Sequence, residues 1–254
     1  MDALAGGQPI EGSGTPESVW RASAVLQHMP QASLGVLLQD ARRLVVVAPH
    51  PDDEVLGCGG LMAAAQAHGI PVCVIALTDG EMAYPHVPAW APHLLAPARR
   101  QELDAALAAL GLTNHAVTHC DIGDGALHEH EDTMTHAIAS QLQPQDLVLV
   151  TWHRDGHPDH EAAARATRAA CARHGARLLT YPVWAWHWSQ PGDGIFEDDR
   201  ALRFELTPAV HAAKQRATTC FSTQLGTCTP PVSEPILPPH VLARFDRTFE
   251  VFFV

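Results

Sequence analysis

The chain has 254 residues, enough for one generous domain built around a single core. Hydrophobic residues make up 46% and charged residues 17%, ordinary for a globular protein, and 16 basic against 28 acidic residues leave a formal charge of −12. That balance disfavours nucleic acid or an anionic membrane surface as the main partner.

Six cysteines are scattered without a C-x-x-C pair, which argues against a disulfide scaffold and for a reducing compartment. No segment reaches the ~18 unbroken apolar residues of a membrane span. The start, "MDALAGGQPIEGSGTPES", lacks the basic end and apolar stretch of a signal peptide. A cytoplasmic protein with no membrane span is the expectation, and a homo-oligomer is compatible with it.

Residues 1–17, rich in Gly, Pro and Ser, read as a flexible tail, and residues 18–254 as one domain with its core over 42–225. "SVWRASAVLQHM" and "ASLGVLLQDA" read as short helices. Strand "RLVVVA" precedes helix "GCGGLMAAAQAHG", and strand "PVCVIALT" precedes a loop over 79–97. Helix "ARRQELDAALAALG" ends at Gly111; strand "AVTHCDI" and helix "EDTMTHAIASQLQ" follow. Strand "DLVLVT", helix "HEAAARATRAACARHG" stopped by Gly175, and strand "RLLTYPVWAW" complete the alternation. Continuous apolar strands alternating with helices predict an α/β, Rossmann-like fold: a mostly parallel sheet with helices on both faces. Residues 190–254, with a helix near 208–220 and a β-like end "RTFEVFFV", extend the same domain. "GCGGLM" lacks the G-x-G-x-x-G spacing, so a nicotinamide or flavin cofactor is disfavoured.

His-Pro-Asp occurs twice, as "PHPDDE" after Leu44–Ala48 and as "GHPDHE" after Leu147–Thr151 and a short loop. Each follows a predicted strand and leads into a predicted helix, and loops after parallel strands gather at one edge of the sheet. His50 and Asp53 are three residues apart, as are His157 and His160, so each pair can turn toward one point. Imidazole with carboxylate is zinc-ligand chemistry, and a dication would offset the acids Asp52, Asp53 and Glu54. One copy alone would read as a turn with an Asp helix cap; two copies at equivalent junctions favour a metal. Spacing does not choose among the three acids. His86, His93 and His153 are further candidate ligands, set against the usual solvent-facing role of loop histidines. His68, His174 and His187 read as surface or core residues.

"PHPDDE" with a later "HPDH" resembles the PIG-L/LmbE-like de-N-acetylases, zinc hydrolases that deacetylate N-acetylglucosamine-type sugars. "TDGE" (78–81), the R-x-x-E of "RRQELDAALAALG" and "GDGAL" (123–127) are similar to the family's intermediate motifs and stand in the same order. The resemblance implies one zinc held by His50, Asp53 and His160, with Asp52 as general base. It implies that a protonated His157 polarises the carbonyl, that Asp159 orients it, and that Arg99 and Asp124 contact sugar hydroxyls. The last two have an ordinary reading as a helix-surface arginine and a turn aspartate. The implied substrate is a small N-acetylated amino sugar or its glycoside.

The chain departs from the family's K-x-x-A-x-x-x-H-x-S-Q pattern: Lys214, Ala217 and Gln224 are present, but Phe221 and Thr223 replace His and Ser. Asp155 stands where some relatives carry tyrosine. Trp184, Trp186 and Trp188 alternate as on one face of a strand, and with Trp90 they are candidates to line a sugar site. The competing readings are an amidase for a non-sugar acylamine, a metal-binding module without turnover, and a phosphoesterase. The last often uses two metals, and the ligands suffice for one.

Overall fold

The computed structural model describes residue 10 and residues 12–112, 116–198 and 200–254. Three short helices lead in: α1 (Glu17–Arg21), α2 (Ala24–His28) and α3 (Leu34–Leu37). The single helix expected over 18–29 is two, because Ser23 interrupts it. Its hydroxyl donates to the Trp20 carbonyl and accepts the Leu26 amide, closing one turn and capping the next. Of the segment read as a tail, residues 1–9 and 11 lie outside the described residues. Ser13 and Thr15 offer their carbonyls to Arg244, and Glu17 pairs with buried Arg247, so residues 13–17 are tied to the domain.

The alternating core comprises β1 (Arg43–Ala48), α4 (Asp53–Ala67), β2 (Val72–Ala76), α5 (Pro92–Ala109), β3 (Ala116–His119), α6 (Glu131–Gln141), β4 (Asp146–Thr151), α7 (Pro158–His174) and β5 (Arg177–Tyr181). Then come α8 (Ala185–Trp188), α9 (Ile195–Asp198), β6 (Ala201–Glu205), α10 (Pro208–Thr218), α11 (Ser222–Leu225), α12 (Pro239–Leu242) and β7 (Phe249–Phe253). The described strands form one sheet in the order β3-β2-β1-β4-β5-β7-β6. From β3 to β5 the pairings are parallel, and β7 runs antiparallel to β5 and β6. The expected mostly parallel sheet is therefore present, with an antiparallel edge supplied by the last segment. Alternate residues of β1 feed two cores: Leu44, Val46 and Ala48 pack on one face, Val45 and Val47 on the other. Burial on both faces is why these strands read as unbroken apolar runs.

Two boundaries differ from expectation. Helix α5 begins at Pro92, inside the segment expected as a loop over 79–97, and Pro97 lies within it. The strand expected over 177–186 ends at Tyr181. The amides of Val183, Trp184 and Ala185 donate to the Asp155 carboxylate instead of a ladder, and the chain curls into α8. The alternation of the three tryptophans is thus not a strand face.

Helix α4 is broken at Cys58, whose φ of −143° and ψ of 16° are not helical. Glu250 fills the break: its oxygens accept the Gly60 and Leu61 amides at 2.7 and 2.8 Å. Lys214 donates to the freed Leu56 carbonyl at 2.8 Å and to Glu250 at 2.6 Å. Glycine is needed on this path, since a Cβ at Gly57 would lie 2.0 Å from the Tyr181 ring and one at Gly60 2.4 Å from Leu206. Because Lys214 and Glu250 are both buried, Lys214→Met leaves a buried carboxylate without its cation. The expected loss is about 3 kcal/mol in urea unfolding; an unchanged midpoint would show that the pair does not hold the break.

Candidate metal centre

The chain steps outward from β1 to β2 and β3, then returns to lay β4 on the other side of β1. The crevice beyond the carboxyl ends of β1 and β4 is the point where strand order reverses, which is where open α/β sheets bind ligands. One His-Pro-Asp copy joins β1 to α4, and the other opens α7 behind β4. The two copies converge there.

Three donor atoms form a nearly equilateral triangle. His50 Nδ1 and His160 Nε2 each lie 3.3 Å from Asp53 Oδ2, and 3.3 Å from each other. Zinc bonds of about 2.0–2.1 Å to N and O imply donor–donor edges of about 3.3–3.4 Å in a tetrahedron. The opposite nitrogen of each imidazole is committed elsewhere. His160 Nδ1 lies 2.7 Å from Asp155 Oδ2, and His50 Nε2 lies 3.1 Å from Asp124 Oδ1 and 3.3 Å from Asp159 Oδ2. With those nitrogens carrying the protons, both remaining lone pairs point at the centre of the triangle, as carboxylate-backed metal histidines require. Burial pushes the Asp53 carboxyl up, but His160 and His50 outweigh it and hold Asp53 well below the usual carboxylate range. The donor set, its spacing and its outer partners fit a single dication. Among the described residues, His50, His157 and Asp159 form a second, overlapping group of possible donors, while His86, His93 and His153 belong to neither group.

The three acids after His50 have separate surroundings. Asp53 joins the triangle. Asp52 adopts φ 141°, a region that ordinary side chains rarely enter, and its Oδ2 accepts from Arg99 at 3.0 Å. Burial drives the Asp52 carboxyl up to about 7 against the pull of that guanidinium. Glu54 is wholly buried and accepts the Asp52 amide at 3.1 Å; burial and the nearby Asp52 charge push it up to about 8.

The remaining expected site residues have these surroundings. The Asp159 oxygens accept the Gly125 and Leu127 amides at 2.8 and 3.1 Å and stand beside His50, and the carboxylate also acts electrostatically on His157. His157 Nδ1 instead accepts the Asp159 backbone amide at 3.2 Å as the cap of α7, leaving Nε2 to donate. Burial and the imidazoles of His160 and His50 push His157 down to about 3. Asp124 is an outer partner of His50, accepts the Met82 amide at 2.8 Å and lines the cavity beside the triangle. Arg99, buried on α5, clamps Asp52 together with the Gly80 and Pro51 carbonyls and is not a surface residue. One turn along, Glu102 accepts the Thr223 amide and hydroxyl, each at 2.7 Å, so the R-x-x-E pair steadies the site from one helix face. Phe221 is buried in the core.

The triangle opens into a cavity of about 260 Å³ bordered by Asp52, Arg99, His157 and Gln224, with an apolar wall of Leu56, Met82, Val183, Trp184, Ile236 and Leu237. Trp184 is the tryptophan that reaches it. Trp90 donates to the Pro230 carbonyl, Trp186 stacks on Phe196, and Trp188 donates to the Asp155 carbonyl. The 236–237 wall escaped the sequence reading, and Asp155 entered it only as a departure from the tyrosine of some relatives. A loop acid five residues before His160 was the one available signal for Asp155.

The family described as GlcNAc-PI de-N-acetylase, PIG-L, matches residues 45–171. A 1D-myo-inositol 2-acetamido-2-deoxy-alpha-D-glucopyranoside deacetylase of Nocardioides sp. is 35% identical over 165 residues, covering 52% of this chain and 54% of that protein. The chain spans about half the length of this and the next curated relatives it matches. A protein of the same name from Salinispora arenicola is 34% identical over 236 residues, covering 72% of this chain and 76% of its own. The solved structure of the A40926 pseudoaglycone deacetylase Dbv21 has a TM-score of 0.61 at 24% identity, covering 84% of this chain and 96% of that one, a likeness of fold. With its paired His-Pro-Asp loops at the switch point of the sheet, this chain belongs to the PIG-L de-N-acetylase family.

Proposed function

We propose that the protein is a zinc-dependent de-N-acetylase that hydrolyses the acetamide of an N-acetylated amino sugar, carried as a glycoside. The observation that carries this reading is the 3.3 Å triangle of His50, Asp53 and His160 beside an unligated Asp52. The substrate class is supported by relatives named for deacetylating a 2-acetamido-2-deoxy-glucopyranoside of myo-inositol. A cavity of about 260 Å³ lies below the roughly 300–1,000 Å³ of drug-sized sites, which suits one sugar ring with the aglycone outside. We take the cytoplasm as its compartment, in keeping with six unbridged cysteines. Among the described residues no helix is long and apolar enough to cross a membrane.

His50, Asp53 and His160 would hold the ion. When bound, zinc polarises an acyl carbonyl and brings the pKa of water down to about 7. Asp52, held by Arg99 and poised near neutrality, accepts the proton as water attacks the acyl carbon. His157 borders the same cavity and donates from Nε2 to the carbonyl oxygen as charge gathers there. As the C–N bond breaks, Asp52 returns its proton to the departing amine. Trp184 offers a flat apolar wall for a sugar face.

Acetate release from N-acetylglucosamine, its glycosides and non-sugar acylamines tests the reading on zinc-loaded protein. Release from the glycosides supports it; release from the acylamines alone would move the substrate to a non-sugar amide. Asp52→Asn is expected to keep one zinc per chain and lose about 10²–10⁴ in turnover, and a variant near the wild-type rate would remove Asp52 as the base. His160→Ala is expected to lose zinc itself, measured by metal analysis after dialysis; retention at one per chain would exclude it as a ligand.

A further inference from the structure

Asp155 lies outside both His-Pro-Asp copies, is wholly buried and takes no part in the chemistry above. Its side chain nonetheless gathers four donors. Oδ1 accepts the Val183 and Ala185 amides at 2.8 and 3.0 Å, and Oδ2 accepts the Trp184 amide at 2.9 Å and faces His160 Nδ1 at 2.7 Å. The first three bonds set the turn that enters α8 and carries Val183 and Trp184, two residues of the cavity wall. The fourth fixes which nitrogen of His160 bears the proton, leaving the Nε2 lone pair for the triangle. Among the described residues no other hydrogen bond or ion pair reaches His160 Nδ1.

We infer that Asp155 is a positioning residue that couples the metal ligand to the substrate wall: one carboxylate selects the His160 tautomer and pins the turn bearing Trp184. The inference rests on the zinc reading of the site and adds to it a link between ion and sugar. Only a carboxylate meets this demand, because it accepts at both oxygens and donates nowhere. An asparagine must point its NH₂ at one pair of donors. Turned toward the Oδ1 side it opposes two backbone amides that cannot move away. Turned toward the Oδ2 side it opposes one amide and His160, whose ring can adapt by shifting its proton to Nε2. That shift places a proton on the atom meant to ligate.

Zinc affinity is measured by chelator competition on the wild type and on Asp155→Asn, with Trp188→Phe as a control that spares the carboxylate and removes only the bond to the Asp155 backbone carbonyl. Asp155→Asn is expected to bind zinc about 10–100-fold more weakly, and Trp188→Phe to match the wild type. Amide exchange at Val183, Trp184 and Ala185 is expected to slow when wild-type protein is loaded with zinc, and to stay unchanged by zinc in Asp155→Asn. Should the variant not fold, ¹⁵N spectra of the histidine rings in zinc-loaded wild type decide the matter: His160 protonated at Nδ1 supports the coupling, and a proton at Nε2 overturns it. An Asp155→Asn protein that binds zinc within twofold of a zinc-binding, deacetylating wild type overturns the coupling alone. A wild type that binds no zinc overturns both this inference and the reading beneath it.

Discussion

Two imidazole nitrogens and one carboxylate oxygen, each 3.3 Å from the other two, surround one buried point. The opposite nitrogen of each ring faces carboxylates, Asp155 for His160 and Asp124 and Asp159 for His50. Such a triangle of two imidazoles and a carboxylate is a donor set suited to a cation. Much of the surrounding architecture serves to keep it in place. The β1–β4 neighbourhood supplies both loops, and the break in α4 at Cys58, held by Lys214 and Glu250, sets the direction of the helix that bears Asp53.

Around the triangle the acids divide the work by their surroundings. Asp53 is a donor, Asp52 is left free beside Arg99, and Glu54 lies beneath them holding the Asp52 backbone. Asp124, Asp155 and Asp159 stand behind the two histidines, and each also collects backbone amides from a neighbouring loop. Ligand orientation and loop conformation are thus carried by the same side chains. The loops that line the cavity inherit their positions from the groups that aim the ligands, so the floor of the pocket and the ion site form one unit.

The parallel core was legible because its signals are local. Strands buried on both faces appear as apolar runs such as "RLVVVA" and "DLVLVT", and a His-Pro-Asp after each run marks the sheet edge. The proposed ligands His50, Asp53 and His160 came from that pattern with the help of a family resemblance, and the fold brings all three together. What stayed hidden depends on contacts between distant segments. Asp155 gains its partners only where the chain after β5 curls back upon it, which is also why the strand expected through residue 186 stops at Tyr181. Arg99 was expected as a sugar contact, with a helix-surface arginine as its ordinary reading; its hold on Asp52 was hidden because its three acceptors, the carbonyls of Pro51 and Gly80 and the Asp52 carboxylate, come from other loops. Asp159 was paired with its sequence neighbour His157, whereas its side chain turns toward His50 and the loop at Gly125.

X-ray absorption at the zinc edge on the metal-loaded protein reports the first coordination shell without reference to any substrate. Two imidazoles with nitrogen or oxygen neighbours at about 2.0–2.1 Å, four-coordinate and free of sulfur, is the spectrum this geometry requires. A shell containing sulfur, or one imidazole or none, would mean that His50 and His160 do not clasp the same ion.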